Sequence, residues 1–338
     1  MKRWTMRLTP LIGLFLFVYF LSRVDLAKVL ATIEHADVRW LALGWSLIVV
    51  EVLLKAARFS ILIQPITPAS LGLSVWVYLL GQPFAAVTPG QLGDFVKYLP
   101  LTRRTGISLS EGLAVGVIER ALDLVSLTLA GALGIFLALT WHGILPPDLA
   151  PFVLGVGAVV LVVIIVTYRL WRTIARRAGE FVLELYRKKL ARVNQATGKF
   201  TDAVGVVAQP HRLVIAMLLS FAAWIVIAAR AAAYGTALGF TINPIYYFIL
   251  IPAGIIVELL PISMMGIGVR EYSLWFLFAP LGLGLESVLS LSLLHFVFGP
   301  LPTAIAGTVL VLQLGRGQAA ESLSANHANP HELKISED

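Results

Sequence analysis

The chain has 338 residues, 58% of them hydrophobic and 13% charged, against roughly 25% charged in soluble domains. That composition describes a polytopic membrane protein. The absence of cysteine excludes disulfides, thiolate catalysis and Cys-based metal sites. The six histidines are scattered with no HExxH spacing, so neither a dedicated metal site nor a cofactor is expected.

In chain order, Lys2, Arg3 and Arg7 precede an apolar run from Leu8 to Leu21. No small-x-small cleavage site follows, so the run reads as a retained first span. Residues 23–39 read as a polar loop. Trp40 to about Ile63 is a second span with Glu51, Lys55 and Arg58 in its second half, and Pro65-Ile66-Thr67-Pro68 is a turn. Ser70 to Val87 is apolar and contains Pro83.

The stretch Thr88–Tyr98, TPGQLGDFVKY, then interrupts the apolar pattern. Thr88 is a candidate N-cap, Pro89 fits the first helical position, and Gln91 sits where a capping box wants Glu or Gln. Gly90 and Gly93 leave the first turn bare, so its N–H groups would suit an anion. Asp94 and Lys97 share a face. The competing reading is a loop between two membrane helices with ordinary capping.

Arg103 and Arg104 lead into Ile107–Leu145. As one helix this run would reach about 58 Å, twice a bilayer core. It should break or project from the membrane, with the span near 113–140. Pro146-Pro147 closes it, and Pro151–Val166 is another span. Residues 169–212 hold ten Lys/Arg and three acids, and 10 − 3 = +7 equals the net charge of the whole chain. A partial apolar stripe (Ile174, Phe181, Leu185, Val193) suggests an amphipathic cytoplasmic segment suited to anionic lipid. A solvated positive-inside loop is the alternative. Topology accounts for this charge, so nucleic acid is not an expected partner.

Leu213–Leu238 is a span holding Arg230, and Ile245–Leu260 is apolar with Glu258 near its end. Pro261–Gly268 breaks the chain again, and Val269-Arg270-Glu271 opens a further apolar run to Leu285. Leu289–Leu314 is the last span, with Pro300 and Pro302 as kinks, and 315–338 reads as a disordered cytoplasmic tail.

Lysine and arginine bias sets orientation. The N-terminus, the Lys55/Arg58 end, Arg103/Arg104 and residues 169–212 all belong inside. Residues 70–100 must then enter and leave on the inner face, and 245–285 on the outer face. Each excursion carries a Pro/Gly break followed by charges, and paired broken segments of opposite sense mark the binding centre of many transporters. The expected fold is therefore all-α: a polytopic membrane bundle, one domain over 1–314, with about eight embedded segments including the two broken excursions.

Glu51, Lys55, Arg58, Glu119, Arg120, Asp123, Arg230, Glu258, Arg270 and Glu271 all fall in apolar surroundings. Each costs about 3 kcal/mol or more there unless paired, so they are expected to face an interior cavity. A structural ion-pair network is the alternative, most plainly for Glu51 and Lys55 at i,i+4. Glu119 and Asp123 could form an acid/base pair, but no activated nucleophile or metal cluster accompanies them. The small-residue spacings Gly112/Gly116 and Gly235/Gly239 suggest helix packing.

Three motifs, PGQLGDFVK (89–97), ERALD (119–123) and GIGVRE (266–271), stand in this order. Together they resemble the flippase-like family that includes the membrane domain of lysylphosphatidylglycerol synthases, over roughly residues 5–314. The resemblance implies an integral protein of the prokaryotic plasma membrane, both termini cytoplasmic, that moves lipids or polyprenyl-phosphate-linked head groups across the bilayer. It implies substrate-binding roles for Pro89, Gly90, Gly93, Asp94, Lys97, Glu119, Arg120, Asp123, Gly266, Gly268, Arg270 and Glu271, with no catalytic residues. Met265 stands where the family often has a second glycine. Residues 315–338 are too short for an aminoacyltransferase domain, so synthase activity is not implied. The expected partner is an anionic lipid or lipid-linked substrate, with a synthase as a possible protein partner docking on 169–212. The other readings are a membrane enzyme, or an accessory subunit, in synthesis of a lipid-linked glycan, aminoacyl lipid or hopanoid.

Overall fold

The computed structural model describes residues 22–140, 190–258 and 268–328, and every regular element among them is helical. The expected spans at 8–21 and 151–166, most of the basic segment, Gly266 and the Pro261–Ile267 break lie outside the described residues.

Helix α1 (Leu26–Glu34) occupies part of the expected polar loop. Asp25 makes it possible, because its carboxylate accepts from the N–H of Ala27 (3.0 Å). Val29 then packs against Leu289. Helix α2 (Val38–Ile63) starts at Asp37, which caps Arg39 N–H at 2.8 Å. Helix α3 (Leu71–Val87) starts at Ser70 and passes through Pro83. A 3₁₀ segment (Pro89–Lys97) and the short α4 (Tyr98–Thr105) follow, and Gly106 in the left-handed region ends α4.

Helix α5 (Leu109–Thr140) opens with a reciprocal box: Ser108 N–H donates to Glu111 Oε2 (2.6 Å) and Glu111 N–H to Ser108 Oγ (3.3 Å). It runs unbroken for 32 residues, about 48 Å, so it takes the projecting alternative within the described residues. Helices α6 (Leu190–Val207), α7 (Pro210–Ala237), α8 (Ile245–Glu258) and α9 (Val269–Phe278) come next. The expected last span divides at Phe298-Gly299 into α10 (Leu285–Val297) and α11 (Pro300–Ala328), because Pro300 cannot supply the N–H that would continue α10. Helix α11 passes Gly315, where an unstructured tail is expected, and reaches Ala328 through good helix formers such as Gln318, Ala319, Ala320 and Glu321.

Helices α2 and α7 pack along their length, with Gly44 leaving room for the Tyr234 ring. Helix α3 lies between the 3₁₀ segment that folds back on it and α11, whose Gly307 meets the Leu79 carbonyl and the Pro83 ring. Helix α8 packs on α5 and α9. Gly112 and Gly116 make room for Tyr98, as small-residue packing requires, and Gly235 does so for Tyr247. Gly239 does not follow suit: it has φ +77° with no neighbour near its Cβ position and serves to end α7.

The polarity is inverted relative to a soluble protein. Trp45, Val49, Leu133, Leu218, Ile225, Phe276, Ile305 and Leu312 are exposed, while Glu51, Arg58, Lys97, Glu119, Arg230, Arg270 and Glu271 are buried. Lipid, not water, suits such an apolar exterior. Pro210–Ala237 and Leu285–Arg316, whose most apolar 18-residue stretches have mean hydropathies of 2.3 and 1.7, are long and apolar enough to cross a bilayer. Helices α3, α8 and α9, at about 26, 21 and 15 Å, fall short of a ~30 Å core.

Candidate functional site

The 3₁₀ segment begins with a sharp reversal. Gly90 (φ 62°) and Gln91 (φ 56°) are both left-handed, the second an uncommon state for a residue with a side chain. Thr88 precedes the segment in extended conformation and Pro89 opens it, as expected. The capping box does not form: Gln91 lines the interior beside α5 and accepts from Arg120 Nη1 at 3.3 Å. The bare anion-binding turn is also corrected, since Thr88 Oγ1 accepts from Gly93 N–H (2.6 Å) while donating to the Phe84 carbonyl (2.8 Å). Gly93 is needed because any Cβ there would strike that same carbonyl.

The turn delivers Asp94 and Lys97 to α5. Lys97 Nζ donates to Asp94 Oδ2 (2.9 Å) and Glu119 Oε2 (3.1 Å), and the Tyr98 hydroxyl donates to that same Glu119 oxygen (2.9 Å). Arg120 Nη2 donates to Asp94 Oδ2 at 2.9 Å. Gly81 of α3 leaves the space that the Asp94 carboxylate fills. Thus PGQLGDFVK and ERALD are interlocked by ion pairs.

Arg58 extends the network into α2 and α7. It grips both carboxylate oxygens of Asp123, donates to Glu119 Oε1 (3.4 Å) and donates to Ser220 Oγ (2.9 Å). A second group is centred on Glu51, which receives Lys55 at 2.8 Å and Arg230 at 2.7 Å. Arg230 Nη2 also meets His295 Nε2 at 3.2 Å. That contact requires Nε2 to accept, which places the ring proton on Nδ1.

Both groups face one interior cavity of about 180 Å³, room for roughly six waters or a phosphate-sized group. Six cations line it (Lys55, Arg58, Lys97, Arg120, Arg230, Arg270) with four carboxylates (Glu51, Asp94, Glu119, Asp123), so 6 − 4 = +2 with His295 neutral. Glu271 stands behind Arg270 and reduces the excess to +1. Asp94 Oδ1, Arg58 Nε, Arg230 Nε and His295 Nδ1 are buried with no hydrogen-bond partner among the described residues.

The remaining site candidates divide. Arg270 reaches the cavity, so the third motif meets the first two there. Its carboxylate partner is its neighbour Glu271, at 2.7 Å, rather than Asp94, Glu119 or Asp123; the Glu258 side chain lies outside the described residues. Glu271 Oε2 accepts from Gly268 N–H (2.7 Å), as a first-turn acid should, and Oε1 accepts from Ser292 Oγ (2.7 Å). Gly268 (φ 83°) supplies the bend. Neither Glu271 nor Gly268 lines the cavity. Gly266 and the Pro89 side chain are not among the described parts. Sequence reasoning missed Tyr98, His295, Ser220, Ser292 and Tyr78, which lines the cavity with its ring centroid 5.8 Å from Lys55 Nζ; of these, His295 alone carries a legible signal, an imidazole within an apolar run.

An apolar exterior around buried, paired ions makes this an integral membrane protein of the helical-bundle class. The model of the lysylphosphatidylglycerol synthase TM region family matches residues 7–307, and the chain belongs to that family. It is also similar to a UPF0104 membrane protein of Methanothermobacter thermautotrophicus, 23% identical over 323 residues that cover 90% of each chain.

Proposed function

We propose that the protein is a flippase of the prokaryotic plasma membrane, with cytoplasmic termini, that passes the anionic head group of a lipid or polyprenyl-phosphate carrier through the interior cavity. One observation carries this reading: a cavity whose cations outnumber its carboxylates is lined jointly by the segments after both chain breaks, Asp94/Lys97 and Arg270. Transport folds build their substrate sites from broken segments of this kind. Lys97 and Arg120 contact the head group from one side and Lys55 and Arg230 from the other, while Asp94 and Glu51 keep these cations from holding it too tightly. Arg58 Nε, Arg230 Nε and His295 Nδ1 offer further donors.

The reading of Glu119 and Asp123 as catalytic acid and base is less well supported. Asp123 has both oxygens engaged by Arg58, and Glu119 is held by Lys97, Tyr98 and Arg58. In proteoliposomes carrying a panel of head-group-labelled anionic lipids, the protein should move at least one labelled lipid between leaflets. Arg120→Ala should stop that movement without unfolding the protein. Wild-type vesicles indistinguishable from empty ones across the panel would refute the proposal.

A further inference from the structure

Away from the cavity, α2 ends and α3, α5 and α7 begin at one end of the bundle, and their loops enclose an open groove of about 1080 Å³. Gln64, Ser70, Leu73, Trp76, Arg104 and Arg212 are among the residues that line it. Arg104 comes from the last turn of α4 and lies over the Trp76 ring, 4.8 Å from its centroid. Arg212 comes from the first turn of α7 and donates to the Ile61 carbonyl at 3.2 Å. Its Nε is buried and has no partner among the described residues.

The contrast with the interior is in the counter-charges. Each cation of the cavity has a carboxylate within ion-pair distance. Among the described residues no carboxylate lines the groove, and neither Arg104 nor Arg212 pairs with one. Two guanidiniums, oriented by separate helices and unopposed by acid among the described residues, form a fork suited to phosphate. Leu73 and Trp76 give the groove an apolar wall, and Leu71 and Leu99 are exposed nearby in sequence. A tryptophan at the end of a membrane bundle sits at head-group level.

We propose that this groove is a second site, separate from the interior cavity, that holds the phosphate of an anionic phospholipid at the membrane surface. Free phosphate shares the charge chemistry but makes no use of the apolar wall, and the experiment distinguishes the two sources. Thermal unfolding of the purified full-length protein is followed in micelles doped with phosphatidylglycerol, in micelles doped with phosphatidylcholine, and with inorganic phosphate in solution. Phosphatidylglycerol alone should raise Tm by several degrees, less so at high salt.

Arg104→Gln and Arg212→Gln should each lose most of that increase, while Arg39→Gln, exposed at the opposite end of α2 and outside both sites, should keep it. Arg212→Gln also removes the bond to Ile61 and can weaken the fold. Arg104→Gln removes only the contact with Trp76 among the described residues and so supplies the folded test. The proposal fails if the wild type shows no lipid-specific shift, if inorganic phosphate matches the lipid, or if the full shift survives Arg104→Gln. Lipid translocation reads the cavity, so the flippase proposal stands or falls separately.

Discussion

Arg270 closes onto the carboxylate of its own neighbour, Glu271, with Nη2 at 2.7 Å and Nε at 3.0 Å from one oxygen. Ser292 joins the same oxygen, and the Arg270 guanidinium lies 5.6 Å from the Phe296 ring centroid. A buried arginine that needs an anion therefore has one within the protein. Arg270→Ala should strand Glu271 and lower stability by about 3–5 kcal/mol. Glu271→Gln added to that variant should restore part of the loss. Denaturant unfolding of both variants in detergent checks this; an Arg270→Ala protein as stable as wild type would assign the arginine to the substrate instead.

The Arg58–Asp123 pair ties α2 to α5, while Ser220 brings in α7. Arg58→Ala leaves two carboxylates without that cation and should cost about 3–5 kcal/mol. Arg58→Lys should recover little, because an ammonium cannot grip both oxygens of Asp123 while reaching Glu119 and Ser220. Replacing both members, Arg58→Met with Asp123→Leu, should be milder than either single change. The unfolding midpoints of Arg58→Ala, Arg58→Lys, the two single changes and the double variant test this order.

Gly81 exists to make room. A methyl group there would meet Asp94 Oδ1 and lie 3.2 Å from Lys97 Cδ, both side-chain atoms. Gly81→Ala should therefore push Asp94 off Lys97 and Arg120, costing roughly 1–3 kcal/mol, and disable the cavity. Gly93→Ala should be worse, since its Cβ meets the Phe84 backbone carbonyl, which cannot swing away. Comparing Tm for the two variants checks the ranking.

Orientation rests on charge alone. A cysteine introduced singly at Leu190 in this Cys-free chain should label only from the cytoplasmic side. Cysteines at positions 141–150 and 239–244 should label only from outside. Labelling of position 190 from outside in intact cells would overturn the orientation and the opposite sense of the two excursions.

Much of this was legible in the sequence because lipid makes polar residues conspicuous. Buried Glu51, Arg58, Glu119 and Arg230 stand out in apolar runs, and the Pro/Gly breaks mark where helices must stop. Pairing was legible only where it is local, as for Glu51–Lys55 and Asp94–Lys97. The reach of Arg58 to Asp123, 65 residues away, and of Arg230 to Glu51, 179 away, depends on packing that periodicity does not encode. Gln91 was misread because a capping box presumes a helical start, and the left-handed turn at Gly90-Gln91 removes one. Helix α1 was missed because it is only nine residues long and is set among the charges of Arg23, Asp25, Lys28 and Glu34, which read as a loop; it depends on Asp25 and on docking against Leu289.

The central claim is that the head group passes through the interior cavity, and blocking that cavity tests it most directly. Gln82 lines the cavity from α3, whereas Leu218 faces outward from α7. In proteoliposomes that flip lipid, the Gln82→Cys variant should be active until its thiol is modified with a bulky methanethiosulfonate, and inactive afterwards. The same modification of the Leu218→Cys variant should leave the rate unchanged. Undiminished flipping by fully modified, folded Gln82→Cys protein would contradict the account.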